Sequence, residues 1–157
     1  MITLTADDGA SFQINGDSVV RIRRTTEGEA TFAKTHIDWV TLKFAREDPS
    51  AVADLVGAEN SKLAELPSPD GSPVWFDCRL AKGPVWFGTG AAPSGTKSAF
   101  VLANKTQYVA ATPEDVQATM TKFGGTALPI PTTGVLVSLK GLLRSIVGSS
   151  GTPTAWE

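Results

Sequence analysis

The sequence is poor in the side chains that carry out chemistry. It has one cysteine, Cys78, one histidine, His36, and one tyrosine, Tyr108. A lone cysteine excludes an intramolecular disulfide and a cysteine-built metal cage, so a reducing compartment or a virion interior suits the chain better than secretion. One histidine and one cysteine, distant in sequence and without matching neighbours, cannot make a transition-metal site alone. Asp7, Asp8 and Asp17 do not fall in the register of a calcium loop and read as turn and loop residues. No metal, no cofactor and no small-molecule substrate are expected.

Runs of one charge are missing as well. Fourteen Lys and Arg against sixteen Asp and Glu give a formal charge of −2, and no segment is dense enough in cations to neutralise many phosphates. Nucleic acid is therefore not an expected partner. The one basic cluster, Arg21, Arg23 and Arg24, lies in an alternating stretch and reads as a solvated strand face. Long apolar runs are absent too. The opening Met-Ile-Thr-Leu-Thr-Ala-Asp-Asp lacks the basic and apolar regions of a secretory signal. The most apolar stretch, 135–147, is interrupted by Ser138, Lys140, Gly141, Arg144 and Ser145 and is too short to span a bilayer, so no membrane partner is expected.

What the sequence does have is alternation punctuated by turns. Ile2, Leu4 and Ala6 alternate with polar residues, Asp7-Asp8-Gly9 supplies a turn, and Phe12 and Ile14 resume the period, which predicts a β-hairpin. Val20 and Ile22 continue a third strand, and Val40, Leu42 and Phe44 form one apolar face of a later one. Asp48-Pro49 caps a helix whose apolar side is Val52, Leu55 and Val56 and which ends at Gly57. A short helical turn over 62–66 stops at Pro67, and the Ser/Pro/Asp/Gly run from Ser68 to Pro73 marks a lobe boundary.

The second half opens on an echo. Pro73-Val74-Trp75-Phe76 and Pro84-Val85-Trp86-Phe87 predict two paired antiparallel strands, with Val74, Phe76, Cys78 and Leu80 on a buried face. A glycine-rich loop, 88–97, leads to strands around Phe100 and Leu102 and around Tyr108 and Val109, with a turn at Asn104-Lys105. Thr112-Pro113 then starts a second helix, with Glu114 and Asp115 at its positive end, Val116, Met120 and Phe123 as its buried stripe, and Gly124-Gly125 as its stop. Both halves thus follow a plan of strands, a capped helix and a terminal glycine, which raises the idea of a diverged duplication.

Three motifs invite a catalytic reading, and each falls short. His36 and Asp38 are two apart on a strand and can meet on one face, but no serine sits in a nucleophile-elbow context. The loop from Gly88 to Ser98 resembles a phosphate loop, yet Thr96 separates the last glycine from Lys97 and a strand follows where a helix is needed. The initial Gly-Thr-Gly lacks the third glycine of a dinucleotide fingerprint. An enzyme is not expected.

Apolar contact remains. Trp39, Trp75, Trp86 and Trp156 are many for so small a chain, and tryptophan is enriched where proteins bury surface against one another. Trp39, Trp75 and Trp86 read as core or edge packing, whereas Trp156 stands in a polar tail with no core of its own. Leu136, Leu139, Leu143, Ile146 and Val147 fit a helical stripe. These five residues and Trp156 are the candidate partner-binding residues.

Residues Met1-Ile2, Leu4-Thr5, Gly9, Phe12, Ile14-Asn15, Asp17, Ile22 and Thr25 follow in order the pattern of the small bacterial flagellar-operon proteins of the FlbD family, and Tyr108-Val109 with Pro113-Glu114-Asp115-Val116 resembles that family's ending. The resemblance covers about a third of the chain and transfers no catalytic residue. It implies a hairpin-and-helix fold and a source among bacteria or their phages.

The expected fold is α+β and β-rich: two small antiparallel-sheet lobes, 1–66 and 73–125, each closed by a short helix, and a helical or extended carboxyl-terminal arm, 126–157. The expected function is non-catalytic: a structural or interaction subunit of a larger homo- or hetero-oligomeric assembly, with a bacteriophage virion component (head, connector or tail accessory) as the favoured instance. The alternative is a cytoplasmic bacterial regulatory module like the FlbD family.

Overall fold

The structure is a computed structural model that describes residues 1–88, 90–131 and 154–156. It is α+β and rich in strands, as the alternation predicts. The chain forms two compact units: residues 1–65 with 72–77, and residues 66–71 with the described residues from 78 onward.

In the first unit, β1 (Ile2–Thr5) and β2 (Ser11–Ile14) make the expected hairpin, with Ile2 opposite Ile14 and Leu4 opposite Phe12. Strands β3 (Arg21–Arg24), β4 (Thr35–Asp38) and β5 (Leu42–Ala45) form an antiparallel meander, and α1 (Pro49–Glu59) follows. Next come β6 (Leu63–Pro67) and β7 (Pro73–Asp77), and the sheet order is β5-β4-β3-β7-β6. The hairpin, one sheet face and α1 contribute a shared core that includes Ile2, Ile14, Ile22, Ile37, Val52 and Val56, with Trp39 and Trp75 packed at its margin. Burial of such aliphatic side chains stabilises by roughly 1.5–3 kcal/mol each.

Several local expectations need correction here. In place of a helical turn over 62–66, Leu63–Pro67 is strand, because β7 offers a ladder that a single helical turn ending in Pro67 could not match. Helix α1 continues through Gly57 to Glu59, since a helical glycine costs only about 1 kcal/mol and need not terminate a helix. Asp48 makes no side-chain cap bond; its carboxylate lies 3.2 Å from Lys34 Nζ instead. Val40 falls in a bend and is 76% exposed, and Leu42 is exposed as well, so the apolar alternation there does not face the core.

The Pro-Val-Trp-Phe echo does not pair with itself. Strand β7 pairs with β3 as an inner strand of the first unit, whereas β8 (Ala81–Val85) belongs to the second unit's sheet. A 3-10 turn, Cys78–Leu80, separates them; it leaves Cys78 buried as expected but turns Leu80 out to solvent.

In the second unit, β8, β9 (Ser98–Leu102) and β10 (Lys105–Val109) form an antiparallel meander, followed by α2 (Pro113–Phe123) and β11 (Thr126–Ala127). Strand β11 returns to β8 in parallel, giving the order β10-β9-β8-β11. Ala103 and Asn104 have positive φ, the mark of a tight two-residue hairpin, one residue earlier than the expected turn. Helix α2 is built largely as its sequence predicts: Thr112 Oγ1 accepts from the Asp115 amide at 3.2 Å, Val116 and Met120 are buried while Phe123 is only half-buried, and Gly124 closes the helix at φ 83°. Both units share the path of a three-stranded meander, a helix and a return to the first-strand side. They differ in that β7 lies between β3 and the returning β6, whereas β11 lies directly on β8.

Candidate contact site

The longest excursion of the first unit, residues 25–34, joins β3 to β4 and is held from two sides. The first hold grows out of the strand register. Arg21 stands opposite Asp38 and Arg23 opposite His36, so all four side chains share one face of the sheet. The expectation of a solvated basic face fails for two of the three arginines: Arg21 is 1% exposed and Arg23 is buried, and Arg24 alone is exposed.

Arg21 Nε donates to Asp38 Oδ2 at 2.7 Å. His36 bridges two carboxylates, with Nε2 3.0 Å from Asp38 Oδ1 and Nδ1 2.9 Å from Glu29 Oε2, and its ring meets Phe44 edge-on at 5.3 Å. Arg23 Nη1 donates to the Arg24 carbonyl at 2.8 Å and to Glu29 Oε2 at 3.3 Å. Arg23 Nη2 pairs with Glu29 Oε1 at 2.8 Å by charge, with its N–H out of line for a hydrogen bond, and Arg23 Nε is buried without a hydrogen-bond partner. Thr26 Oγ1 also donates to Glu29. Glu29, in the middle of the loop, is thereby tied to the strands.

The electrostatics follow from these contacts. Partial burial pushes the Glu29 carboxyl up, but bonds from Thr26, His36 and Arg23 outweigh it and hold the group down at about 2. Burial likewise pushes Asp38 up, and His36 and Arg21 more than reverse it. Burial lowers the Arg21 guanidinium against the pull of Asp38, though a guanidinium keeps its proton.

The second hold comes from the β1–β2 turn. The Asp7 carboxylate accepts from the amides of Phe32 and Ala33, both at 2.6 Å, and from Thr31 at 3.3 Å. Those amide bonds hold its carboxyl below the usual range. Arg46 donates to the Asp7 carbonyl through Nη2 at 2.7 Å and lays its guanidinium 4.9 Å from the centre of the Phe32 ring. At the loop base, Thr25 and Lys34 continue the ladder by a bond of 2.9 Å.

The result is a phenylalanine held outward. Phe32 is 63% exposed although both flanking peptide units are fixed by a carboxylate. Leaving such a ring in water forgoes about 1.5–3 kcal/mol that burial would return. Both imidazole nitrogens of His36 are engaged by carboxylates, and neither of these bonds involves a hydroxyl or thiol. Among the described residues no group of His, Cys, Asp and Glu is placed to hold a metal ion, and no helix is long and apolar enough to cross a membrane.

The expected contact of His36 with Asp38 is thus made, and Glu29, Arg21 and Arg23 join it. Of the candidate partner-binding residues, Leu136, Leu139, Leu143, Ile146 and Val147 lie outside the described residues. Trp156 lies on the second unit's own sheet, its indole Nε1 donating to the Leu102 carbonyl at 3.0 Å. Phe32 escaped the sequence reading because a single aromatic in a loop carries no periodicity; the only signal was the unusual length of polar chain around it.

Acid should loosen this site before the core. Glu29, Asp38 and Asp7 all titrate lower in the folded chain than in the unfolded one, so their contribution is complete above the unfolded range near about 4 and is lost as pH falls. Urea midpoints measured from pH 7 to 2.5 should fall chiefly between about pH 5 and 2. Glu29→Gln should flatten that fall; a variant whose acid slope equals that of the parent would show that Glu29 is not clamped.

Comparison with protein-family models, with characterised proteins and with solved structures finds no match for this chain.

Proposed function

We propose that the chain is a non-catalytic structural or protein-interaction subunit of a larger assembly, with a bacteriophage virion component, in the head, connector or tail, as the favoured instance. The observation that carries the reading is Phe32: an exposed aromatic on a loop fixed by Asp7 on one side and by Glu29 on the other. A rigid aromatic has little freedom left to lose on binding, which is how a small contact becomes a strong one. The exposed Val40 and Leu42 at edge strand β5 add a second apolar point on the same unit.

Sedimentation of lysate from the source should place the chain in a particle fraction of far higher mass than one copy. Phe32→Glu should cut the particle-bound share at least about tenfold, as loss of a contact hot spot does, while the urea midpoint stays within about 0.5 kcal/mol of the parent. Sedimentation as a lone copy throughout would overturn the proposal.

The second reading is a regulatory module of the bacterial cytoplasm like the FlbD family, binding one client through the same loop. It is supported by where the resembling residues lie, on β1–β2, on β10 and at the start of α2. A complex of small, fixed mass in place of a particle would select it.

A further inference from the structure

Asn15 and Gly16 link β2 to the turn that leads into β3, and the fold requires both residue types. Asn15 Oδ1 accepts from the Asp17 amide at 3.0 Å, which caps the 3-10 turn Gly16–Ser18. Gly16 is buried, and a Cβ there would stand 2.9 Å from Glu59 Oε2 and 3.0 Å from both Glu59 Cβ and Ile2 Cδ1. Glycine alone fits that space. The fold thus builds in a dipeptide prone to lose its amide: with no side chain on the second residue, its backbone nitrogen can reach the asparagine carboxamide unhindered.

Here that nitrogen is tied down. The Gly16 amide donates at 2.7 Å to Oε2 of Glu59, the last residue of α1. Asn15 has ψ 116°, whereas closure of the five-membered ring needs ψ of the opposite sign, with the Gly16 nitrogen swung to the side-chain face. Reaction at Asn15 therefore requires the backbone to turn and the bond to Glu59 to break.

We propose that Asn15 is a latent site of spontaneous amide loss and that Glu59 is its guard. The chemistry takes only water. The Gly16 nitrogen bonds to Asn15 Cγ, the Cγ–Nδ2 bond breaks, and ammonia leaves with the amide proton, giving a cyclic imide. Water then opens the imide at either carbonyl and leaves aspartate or isoaspartate at position 15. Aspartate keeps an oxygen for the Asp17 amide, whereas isoaspartate inserts a methylene into the backbone and moves Gly16 off Glu59. Either product adds a negative charge beside Asp17, so conversion marks chains in which this joint has opened.

The test follows conversion at Asn15 by peptide mapping while the full chain is incubated in mildly alkaline buffer, folded and in urea. The folded parent should convert at least about tenfold more slowly than the unfolded chain, since a bond to a charged acceptor must break before the ring closes. Glu59→Ala should speed conversion at Asn15 at least about fivefold and quicken exchange of the Gly16 amide, with Asn104 in the β9–β10 turn converting at the parent's rate. Glu59→Gln, whose neutral oxygen accepts more weakly than a carboxylate, should fall between.

Equal rates for the folded parent and the unfolded chain would overturn the proposal. So would a Glu59→Ala rate at or below that of the parent, which would make the carboxylate a bystander or a base, and so would an equal rise at Asn104, which would report general opening. If Glu59→Ala does not fold, Glu59→Gln carries the test, and an unchanged rate at Asn15 there overturns the guard.

Discussion

Arg21→Ala is expected to cost about 3–5 kcal/mol of folding stability, a large effect for a single charge removal. Its side chain is almost wholly buried, and its Nε donates at 2.7 Å to an Asp38 carboxylate that is itself mostly covered. Removing the guanidinium leaves Asp38 charged beside His36, its neighbour on the same face of β4. Breaking a buried pair from one side is costly because the partner loses its compensation, whereas the pair as a whole need not be stabilising against apolar residues of equal size. The urea midpoint should drop with little change in slope. A double-mutant cycle with Asp38→Asn should return a coupling of about 1–3 kcal/mol. Arg21→Lys should fall between, since an ammonium keeps the charge but cannot reproduce the fork. A loss below about 1 kcal/mol for Arg21→Ala would mean that the network does not hold the strands.

The same variant should also loosen the loop that carries Phe32. The bonds run in series from Arg21 to Asp38, to His36, to Glu29, and Glu29 fixes the loop that Asp7 holds from the opposite side. Loosening one end leaves the amide clamp of Asp7 intact, so the loop should gain motion on the Glu29 side first. Hydrogen exchange of the Glu29 amide, bonded to the Thr26 carbonyl at 3.2 Å, is the local measure.

How much of this was legible in the sequence depended on whether the deciding partner was near in the chain. The β1–β2 hairpin and α2 were fully readable, because alternation, the Thr112 cap, Pro113, the acidic first turn and Gly124 are all local signals that agree. Strand β6 was hidden because its ladder partner β7 comes later and its own sequence ends in proline. The burial of Arg21 and Arg23 was hidden for a related reason. Arginines alternate on solvated strands as they do on buried ones, and only the register with Asp38 and His36, plus a glutamate reaching over from the loop, reverses the reading. The pairing of His36 with Asp38 was visible from the two-residue period, whereas Asp7 in a turn gave no hint that its carboxylate would hold the amides of residues 31–33.

Gly95→Ala is the second large effect expected, and it decides what the glycine-rich loop is. By its spacing the stretch 88–97 reads as a glycine-rich hairpin loop and not as a phosphate loop. At its far end Gly95 has φ 90°, and a Cβ there would stand 2.4 Å from the Pro69 carbonyl oxygen. The left-handed backbone costs an alanine about 1–2 kcal/mol, and overlap with a backbone atom that cannot rotate away adds about 1–3 kcal/mol more. The urea midpoint should therefore fall by the equivalent of about 2–5 kcal/mol. Gly88 and Gly90 have nothing within 4 Å of an added Cβ, so alanine at either should change stability by no more than about 0.5 kcal/mol. That contrast makes the loop a clasp at Gly95, where it closes on the 66–71 segment, and an open span at Gly88 and Gly90. Equal tolerance at all three positions would mean that the close approach to Pro69 is not held in solution.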